Sequence, residues 1–296
     1  MNPPDSRQIV TMSDPDRVVW KDCGITKGEL AAYIEAVASL LIRHGAGRPV
    51  TVVVFPRGLS GPSYYRRNRP GDAPAWLGGV RDEPRPGAVT AQLLSIEKPA
   101  DLLWLVKRGA IEFHFWMARV PNLDRPDQLV FDLDPGDDAV WQQVLNTALI
   151  VRGELAALGL RAVAKTSGGR GLHVYVPIAP GPSFGEVRAW VKAFALGLAA
   201  RYPGLISAEG GATHLGHLVT IDYAQNSVGK SMAAPYTPRA RPGAPVSAPL
   251  AWADVEAGVQ SDRFTIRTLH DRLAQHGDLF KDALAADQTL PPLDPN

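Results

Sequence analysis

A mixed α and β fold, a sheet flanked by helices, follows from three features of the sequence. Five strand-like runs, IEFHFWMARV, QLVFDLD, LRAVAKT, LHVYVPI and HLVTIDYA, fall between residues 110 and 225. Two helical stretches, AVWQQVLNTALIVRGELAALG and FGEVRAWVKAFALGLAARYP, lie between them. The chain has 296 residues, 45% of them hydrophobic, enough for a substantial buried core. Alternation of helices and strands predicts one sheet over 110–225, with polar side chains collected on one face.

The remaining elements follow in order. KGELAAYIEAVASLLIRHG carries apolar residues at helical spacing and stops at Gly45. PVTVVVF reads as a short buried strand. GPSYYRRNRPGDAPAWLGGVRDEPRPG is rich in Pro, Gly and Arg, which predicts an ordered loop region or short strands. AQLLSIEKPADLLWLVKRG reads as a strand and then a helix. Toward the C-terminus, SMAAPYTPRARPGAPVSAPLAW is Pro-rich and is expected to wrap the surface, followed by a helix over TIRTLHDRLAQHG. No repeat and no low-complexity linker interrupts the chain, so one compact domain over 1–296 is expected.

The totals exclude several classes. Lys and Arg number 31 against 30 Asp and Glu, so any basic surface is local. Cys23 is the only cysteine, which rules out an internal disulfide and a multi-cysteine zinc site. MNPPDSRQIV lacks the apolar segment of a secretory signal, and no apolar run approaches the length that spans a bilayer. A cytoplasmic protein is expected.

The chemistry concentrates in QLVFDLDPG. Alternate strand residues share a face, so Leu129, Phe131 and Leu133 pack on one side while Asp132 and Asp134 stand on the other. An ionised carboxylate costs several kcal/mol, by order of magnitude, to desolvate without a partner, so this pair needs a counter-charge. Two carboxylates on one strand face can hold divalent cations about 3.5–4 Å apart, the arrangement that serves phosphoryl transfer. A D-x-D alone is a weak signal, and a strand-end turn with solvated aspartates satisfies it equally. HLVTIDYAQN adds a third acid, Asp222, on the face of Leu218 and Thr220.

KTSGGRGLHVYVPI is the second informative stretch. It lacks P-loop spacing and leads into a strand, so Gly168, Gly169 and Gly171 suit a tight turn whose backbone N–H groups could grip an anion. Lys165, Ser167, Arg170 and His173 surround the turn, and His173 points away from the apolar face, toward the acids. A glycine-rich hairpin with incidental polar residues fits the stretch as well. IEFHFW places Glu112, His114 and Trp116 on one face; His114 is either a hydrogen-bonded core residue or, if it shares the face of the acids, a contact to substrate phosphate. Arg239 and Arg241 in PYTPRARPG stand at strand spacing, able to aim two guanidiniums at one phosphate chain. SYYRRN joins Tyr64 and Tyr65 to Arg66 and Arg67, the mixture expected where a base stacks and a backbone phosphate is held. Read alone, each of the two is a solvated basic loop.

In this order, IEFHFW, FDLDPG, KTSGGRGLHVYVPI, IDYAQN and PYTPRARPGAPVSAPLAW, the motifs resemble the polymerase domain of bacterial ATP-dependent DNA ligase D, a branch of the archaeo-eukaryotic primase superfamily. The similarity runs from GITKGELAAYI to RFTIRTLHDRL. It implies an α+β primase-polymerase fold: central, mainly antiparallel sheets and an RRM-like catalytic half flanked by helices. It also implies a nucleotidyltransferase in which Asp132, Asp134 and Asp222 hold two divalent cations, manganese or magnesium, with a nucleoside triphosphate. Lys165, Ser167, Gly169 and His173 would serve the nucleotide, with Arg239 and Arg241 on its phosphates and His114 near the primer terminus.

Such enzymes extend a primer across short gaps and often prefer ribonucleotides. The implied partner is gapped or broken duplex DNA whose downstream 5′-phosphate is held by Lys27 and Arg17, the latter standing where the family usually has lysine. Tyr64 and Tyr65 replace an aromatic pair, commonly phenylalanines, that stacks on the template, with Arg66 and Arg67 as further DNA contacts. Gln225 stands where relatives often have arginine. The chain lacks a K-x-D-G ligase lysine, so a stand-alone or excised polymerase is expected, with Ku and a separate DNA ligase as implied partners and a monomeric, nucleoid-associated state. Two rivals are a non-catalytic DNA-end bridging module that retains the fold and a metal-dependent phosphodiesterase using the same acids.

Overall fold

The computed structural model describes residues 8–81, 92–208 and 216–293. The end of the Pro, Gly and Arg-rich stretch lies outside the described residues. In chain order the strands are β1 (Val18–Trp20), β2 (Ile25–Thr26), β3 (Val50–Val54), β4 (Tyr64–Arg66), β5 (Gly79–Arg81), β6 (Gln92–Leu94) and β7 (Ala110–Trp116). They continue with β8 (Gln128–Pro135), β9 (Val163–Thr166), β10 (Leu172–Pro177), β11 (Ile206–Ser207), β12 (Val219–Asp222), β13 (Ser231–Ala233) and β14 (Pro249–Leu250). The helices are α1 (Lys27–Gly45), α2 (Pro99–Lys107), α3 (Trp141–Ala157), α4 (Phe184–Arg201), α5 (Trp252–Glu256) and α6 (Leu269–His276).

Two large sheets replace the single sheet expected. One has the order β11-β12-β8-β10-β9-β14; the other runs β13-β7-β3-β6-β5, with β4 on the flank of β3. The IEFHFW strand, β7, therefore leaves the company of its sequence neighbours and pairs antiparallel with β3 and β13. The physical reason is side-chain surface: β3 and β7 are buried along their whole lengths, and each needs a strand beside it and cover on both faces. Every named pairing except β11 with β12 is antiparallel, as the α+β expectation requires.

The first sheet is built by its alternation. Leu129, Phe131 and Leu133 of β8 and Leu172, Val174 and Val176 of β10 point into the main core, where α3 and α4 cover them with Val144, Leu145, Val191 and Leu198. The opposite face carries the polar residues. Burying one Leu or Phe side chain stabilises by about 1.5–3 kcal/mol, so a one-residue slip of β8 that put Val130, Asp132 and Asp134 where Leu129, Phe131 and Leu133 now pack is strongly disfavoured.

Helix α1 begins where Thr26 caps it: the Glu29 N–H donates to the Thr26 hydroxyl at 3.2 Å, and the Glu29 carboxylate accepts from the Thr26 N–H at 2.8 Å. That capping box places Lys27 in the first turn. The C-terminal helix is shorter than its sequence pattern, starting at Leu269, because Thr265 and Thr268 bond each other and their own backbone in a turn instead.

Candidate active site

Register builds the site. Across the first sheet Asp222 lies opposite Asp132, Asp132 opposite His173, His173 opposite Lys165, and Lys165 opposite Pro249. Directly opposed residues share a face, so one row across four strands carries two acids, an imidazole and an ammonium. Asp134 stands one step along, opposite Thr220. One ligand oxygen from each of Asp132, Asp134 and Asp222 lies within 4.8 Å of the others. Asp132 is buried, and its carboxyl is pushed well above the ordinary range, by burial first and then by the charges of Asp134 and Asp222.

Repulsion within such a cluster is relieved by a proton on Asp132 or by a bound cation. Oxygen donors in this number suit a hard divalent cation, so the residues present fit one. Asp222 is held in place by its own turn, accepting from the Ala224 N–H and from the Gln225 amide, each at 2.9 Å. Gln225 thus orients an acid of the cluster.

Behind the acids runs a buried chain of hydrogen bonds. The Ser247 hydroxyl donates to Thr166 O at 2.7 Å and accepts from Lys165 Nζ at 2.6 Å. Lys165 Nζ lies 2.8 Å from His173 Nδ1, and His173 Nε2 lies 3.2 Å from Asp132 Oδ1. With Lys165 donating to Nδ1, the proton of His173 sits on Nε2 and faces the carboxylate. Burial, followed by the nearby Lys165 and Arg239, lowers the His173 pKa well below its usual value. Burial lowers Lys165 in the same direction.

The glycine turn departs from expectation. Its amides do not all face outward: the Gly169 and Gly171 N–H groups donate to the Ser167 hydroxyl at 3.1 and 3.2 Å. The glycines are needed for space instead. A Cβ on Gly171 would sit 2.6 Å from Leu133 O, and one on Gly168, whose φ is +71°, 2.4 Å from Arg239 Cγ. Arg239 crosses over that gap, donating to Ser167 O from Nη1, while its Nε lies 3.1 Å from Glu112 Oε2. Arg241 stands over Gly169, where a Cβ would lie 3.1 Å from the guanidinium carbon.

His114 belongs to the second sheet rather than the sheet of the acids. It reaches the same cleft because the polar faces of the two sheets meet there, bridged by Arg239 between Glu112 and Ser167. His114 Nε2 lies 2.9 Å from Glu112 Oε2, and burial lowers the imidazole pKa. Tyr65 stands at the mouth, its ring 6.3 Å edge-on from that of His114. Tyr64 and Tyr65 are 41% and 73% exposed, large aromatic surface left for a partner. Arg66 lies over Tyr64 and Arg67 over Trp116.

Lys27, on the first turn of α1, and Arg17, just before β1, form a separate cluster in which the Lys27 N–H donates to Arg17 O at 2.9 Å. The Lys27 ammonium is buried, donating to Lys107 O at 2.8 Å and Ser13 Oγ at 3.2 Å; burial, then the Arg17 charge, lowers its pKa. Sequence reasoning missed the supporting roles of Ser247, Glu112, Gln225 and Asn226. Of these only Glu112, two residues from His114 on the same strand face, had a signal in the pattern.

A three-carboxylate cluster on one face of an antiparallel-rich sheet, with Arg239 near Asp132, fits a nucleotidyltransferase of the primase-polymerase kind, and similarity to known proteins shows that class. Residues 26–280 match the family model of the LigD primase-polymerase domain, and the chain belongs to that family. It is 34% identical to the multifunctional non-homologous end joining protein LigD of Pseudomonas aeruginosa, over 89% of this chain and 31% of that protein. It is 31% identical to the Mycobacterium bovis protein of the same name, over 96% of this chain and 38% of that one. The chain thus spans about a third of the length of these relatives. The polymerase domain from Mycobacterium tuberculosis ligase D in complex with DNA superimposes with a TM-score of 0.86 at 31% identity, covering 95% of this chain and all of that domain. Among the described residues no helix is long and apolar enough to cross a membrane.

Proposed function

We propose that this chain extends a primer by nucleotidyl transfer across short gaps in duplex DNA, with a preference for ribonucleotides, in end joining or excision repair. The observation that carries the reading is the convergence of Asp132, Asp134 and Asp222, from two adjacent strands, on one point of a sheet face. Two divalent cations, manganese or magnesium, held by those aspartates would supply the charge that acidifies a primer 3′-hydroxyl and neutralises the departing pyrophosphate. Arg239 and Arg241 take the non-bridging oxygens of the triphosphate, where fixed guanidiniums offset charge without reorganising. Lys165 fixes the His173 tautomer, and His173 in turn orients Asp132. The Ser167 hydroxyl, whose oxygen accepts two amides, keeps its own proton to donate to phosphate or a sugar 2′-hydroxyl. His114, held by Glu112, lies where the primer terminus would approach.

Lys27 and Arg17 supply the positive charge for a downstream 5′-phosphate, aided by the first turn of α1. Tyr64 and Tyr65 offer rings to the template, and Arg66 and Arg67 hold its backbone. A LigD-named relative in non-homologous end joining and a structural neighbour bound to DNA support this reading. Ku and a separate DNA ligase are the partners it implies.

The test is Asp132→Asn, measured on a gapped duplex. Extension should fall by about a thousand-fold, several kcal/mol of lost transition-state stabilisation, while DNA binding persists. Because the substitution relieves like-charge repulsion, the metal-free variant should melt higher, by about 1 kcal/mol or more of stability. Near-normal synthesis would reject the role, and metal-dependent shortening of the primer by the wild type would favour a phosphodiesterase.

A further inference from the structure

A second cationic cleft adjoins the Lys27 and Arg17 cluster. It measures about 410 Å³ and is lined by Lys21, Asp22, Arg57, Ser60 and Arg241, with Val19 and Gly58 shared between it and the Lys27 pocket. It therefore starts at the expected seat of the 5′-phosphate and ends at Arg241, beside the glycine turn. Lys21, Arg57 and Arg241 are exposed, and none of the three forms an ion pair among the described residues. Exposed Arg67, Arg188, Lys192 and Lys230 likewise stand outside ion pairs, and what sets Lys21, Arg57 and Arg241 apart is that they line one cleft.

The one acid in the cleft, Asp22, accepts from the Gly243 N–H through one oxygen and offsets one of the three positive charges. Trp20 Nε1 donates to Arg241 O at 2.9 Å, so β1 and the 239–243 loop form one tied wall. With Arg241 at its far end committed to the nucleotide, Lys21 and Arg57 are the two cations that the groove offers to further phosphates beyond the one at Lys27.

We propose that this cleft binds phosphate groups that continue outward from the 5′-phosphate of the downstream strand. They are either the outer phosphates of a 5′-triphosphate end or the first phosphodiesters of a 5′ flap. The proposal rests on the reading that Lys27 and Arg17 seat the 5′-phosphate itself. Its consequence is substrate choice: the chain accepts gaps whose downstream strand ends in more than a monophosphate, with those phosphates led along the Lys21 and Arg57 part of the cleft.

The experiment compares gapped duplexes identical except at the downstream 5′ end, which carries a hydroxyl, a monophosphate, a triphosphate or a short single-stranded flap. Binding by fluorescence anisotropy at low salt is measured for the wild type and for Lys21→Gln/Arg57→Gln. The wild type should bind the triphosphate or flap end about tenfold more tightly than the monophosphate, and the gain should shrink as salt rises. The double variant should lose that gain while keeping the preference for monophosphate over hydroxyl and its normal extension of a hydroxyl-ended gap. A gain confined to the triphosphate or to the flap identifies the source. Absence of any gain, or an equal gain in both proteins, overturns the proposal. If the wild type does not distinguish monophosphate from hydroxyl, the Lys27 reading fails by itself; the triphosphate-to-hydroxyl ratio, lost or kept in the double variant, then decides the cleft.

Discussion

Glu112 shows at the scale of one residue how the two sheets are tied electrostatically. It accepts from His114, from the Ala240 N–H at 2.8 Å, and stands against Arg239. Burial alone would raise its carboxyl, yet the His114 bond, the Arg239 charge and the Ala240 amide together bring it down to about 2. A depressed carboxyl stabilises the fold fully above its unfolded value, near 4.5, and that contribution disappears as pH falls through about 2. Glu112→Gln should therefore lose on the order of 3 kcal/mol near neutral pH, with the difference from wild type closing between about pH 4.5 and 2. Urea titrations at several pH values read this; a pH-independent difference would show that packing, not charge, holds the residue.

At the scale of an element, the turn after β12 decides where the third acid sits. A 3-10 turn, Tyr223–Gln225, follows Asp222 directly, and Asn226 ends it. The fully buried Asn226 amide pairs with β8 as a strand would, accepting from Val130 N at 2.9 Å and donating to Val130 O at 2.8 Å. It locks the turn to the strand that carries Asp132 and Asp134. Asn226→Ala would leave both Val130 groups buried without partners, a cost of about 2–4 kcal/mol. The variant should melt several degrees lower, and its extension rate should fall further than its stability explains, because Asp222 is no longer held near the pair. Unchanged melting would mean water replaces the amide without loss.

At the scale of the molecule, the two sheets are joined by a buried ionic staple and a small apolar cluster. Arg48, just before β3, makes a two-pronged pair with Asp127, just before β8, at 2.6 and 2.7 Å, and Arg119 adds a third bond at 2.7 Å. Met117, Val130, Tyr175, Met232 and Phe280 pack alongside. Asp127→Ala leaves Arg48 buried and uncompensated, which costs about 3–5 kcal/mol, far more than loss of an exposed pair. Equilibrium unfolding in urea should show that loss; a change under about 1 kcal/mol would mean the arginine finds solvent.

Much of this was legible in the residues. The alternation in QLVFDLD, LHVYVPI and HLVTIDYA determined the strands, the buried faces and the fact that Asp132, Asp134, Asp222 and His173 share no surface with the core, because a two-residue period is local and needs no knowledge of the neighbour. The helical spacing of KGELAAYIEAVASLLIRHG was equally local. Only the tertiary structure decided that β7 joins β3 in a second sheet, that Ser167 takes up the glycine amides, and that Lys165, Ser247, Glu112 and Asn226 fasten the cluster. These depend on register and on contacts between residues far apart in the chain, such as Asn226 with Val130, 96 positions away near the acids, and Ala240 with Glu112, 128 positions away across the cleft. Register is settled by which faces bury together, a property of pairs of strands that no single stretch of sequence contains.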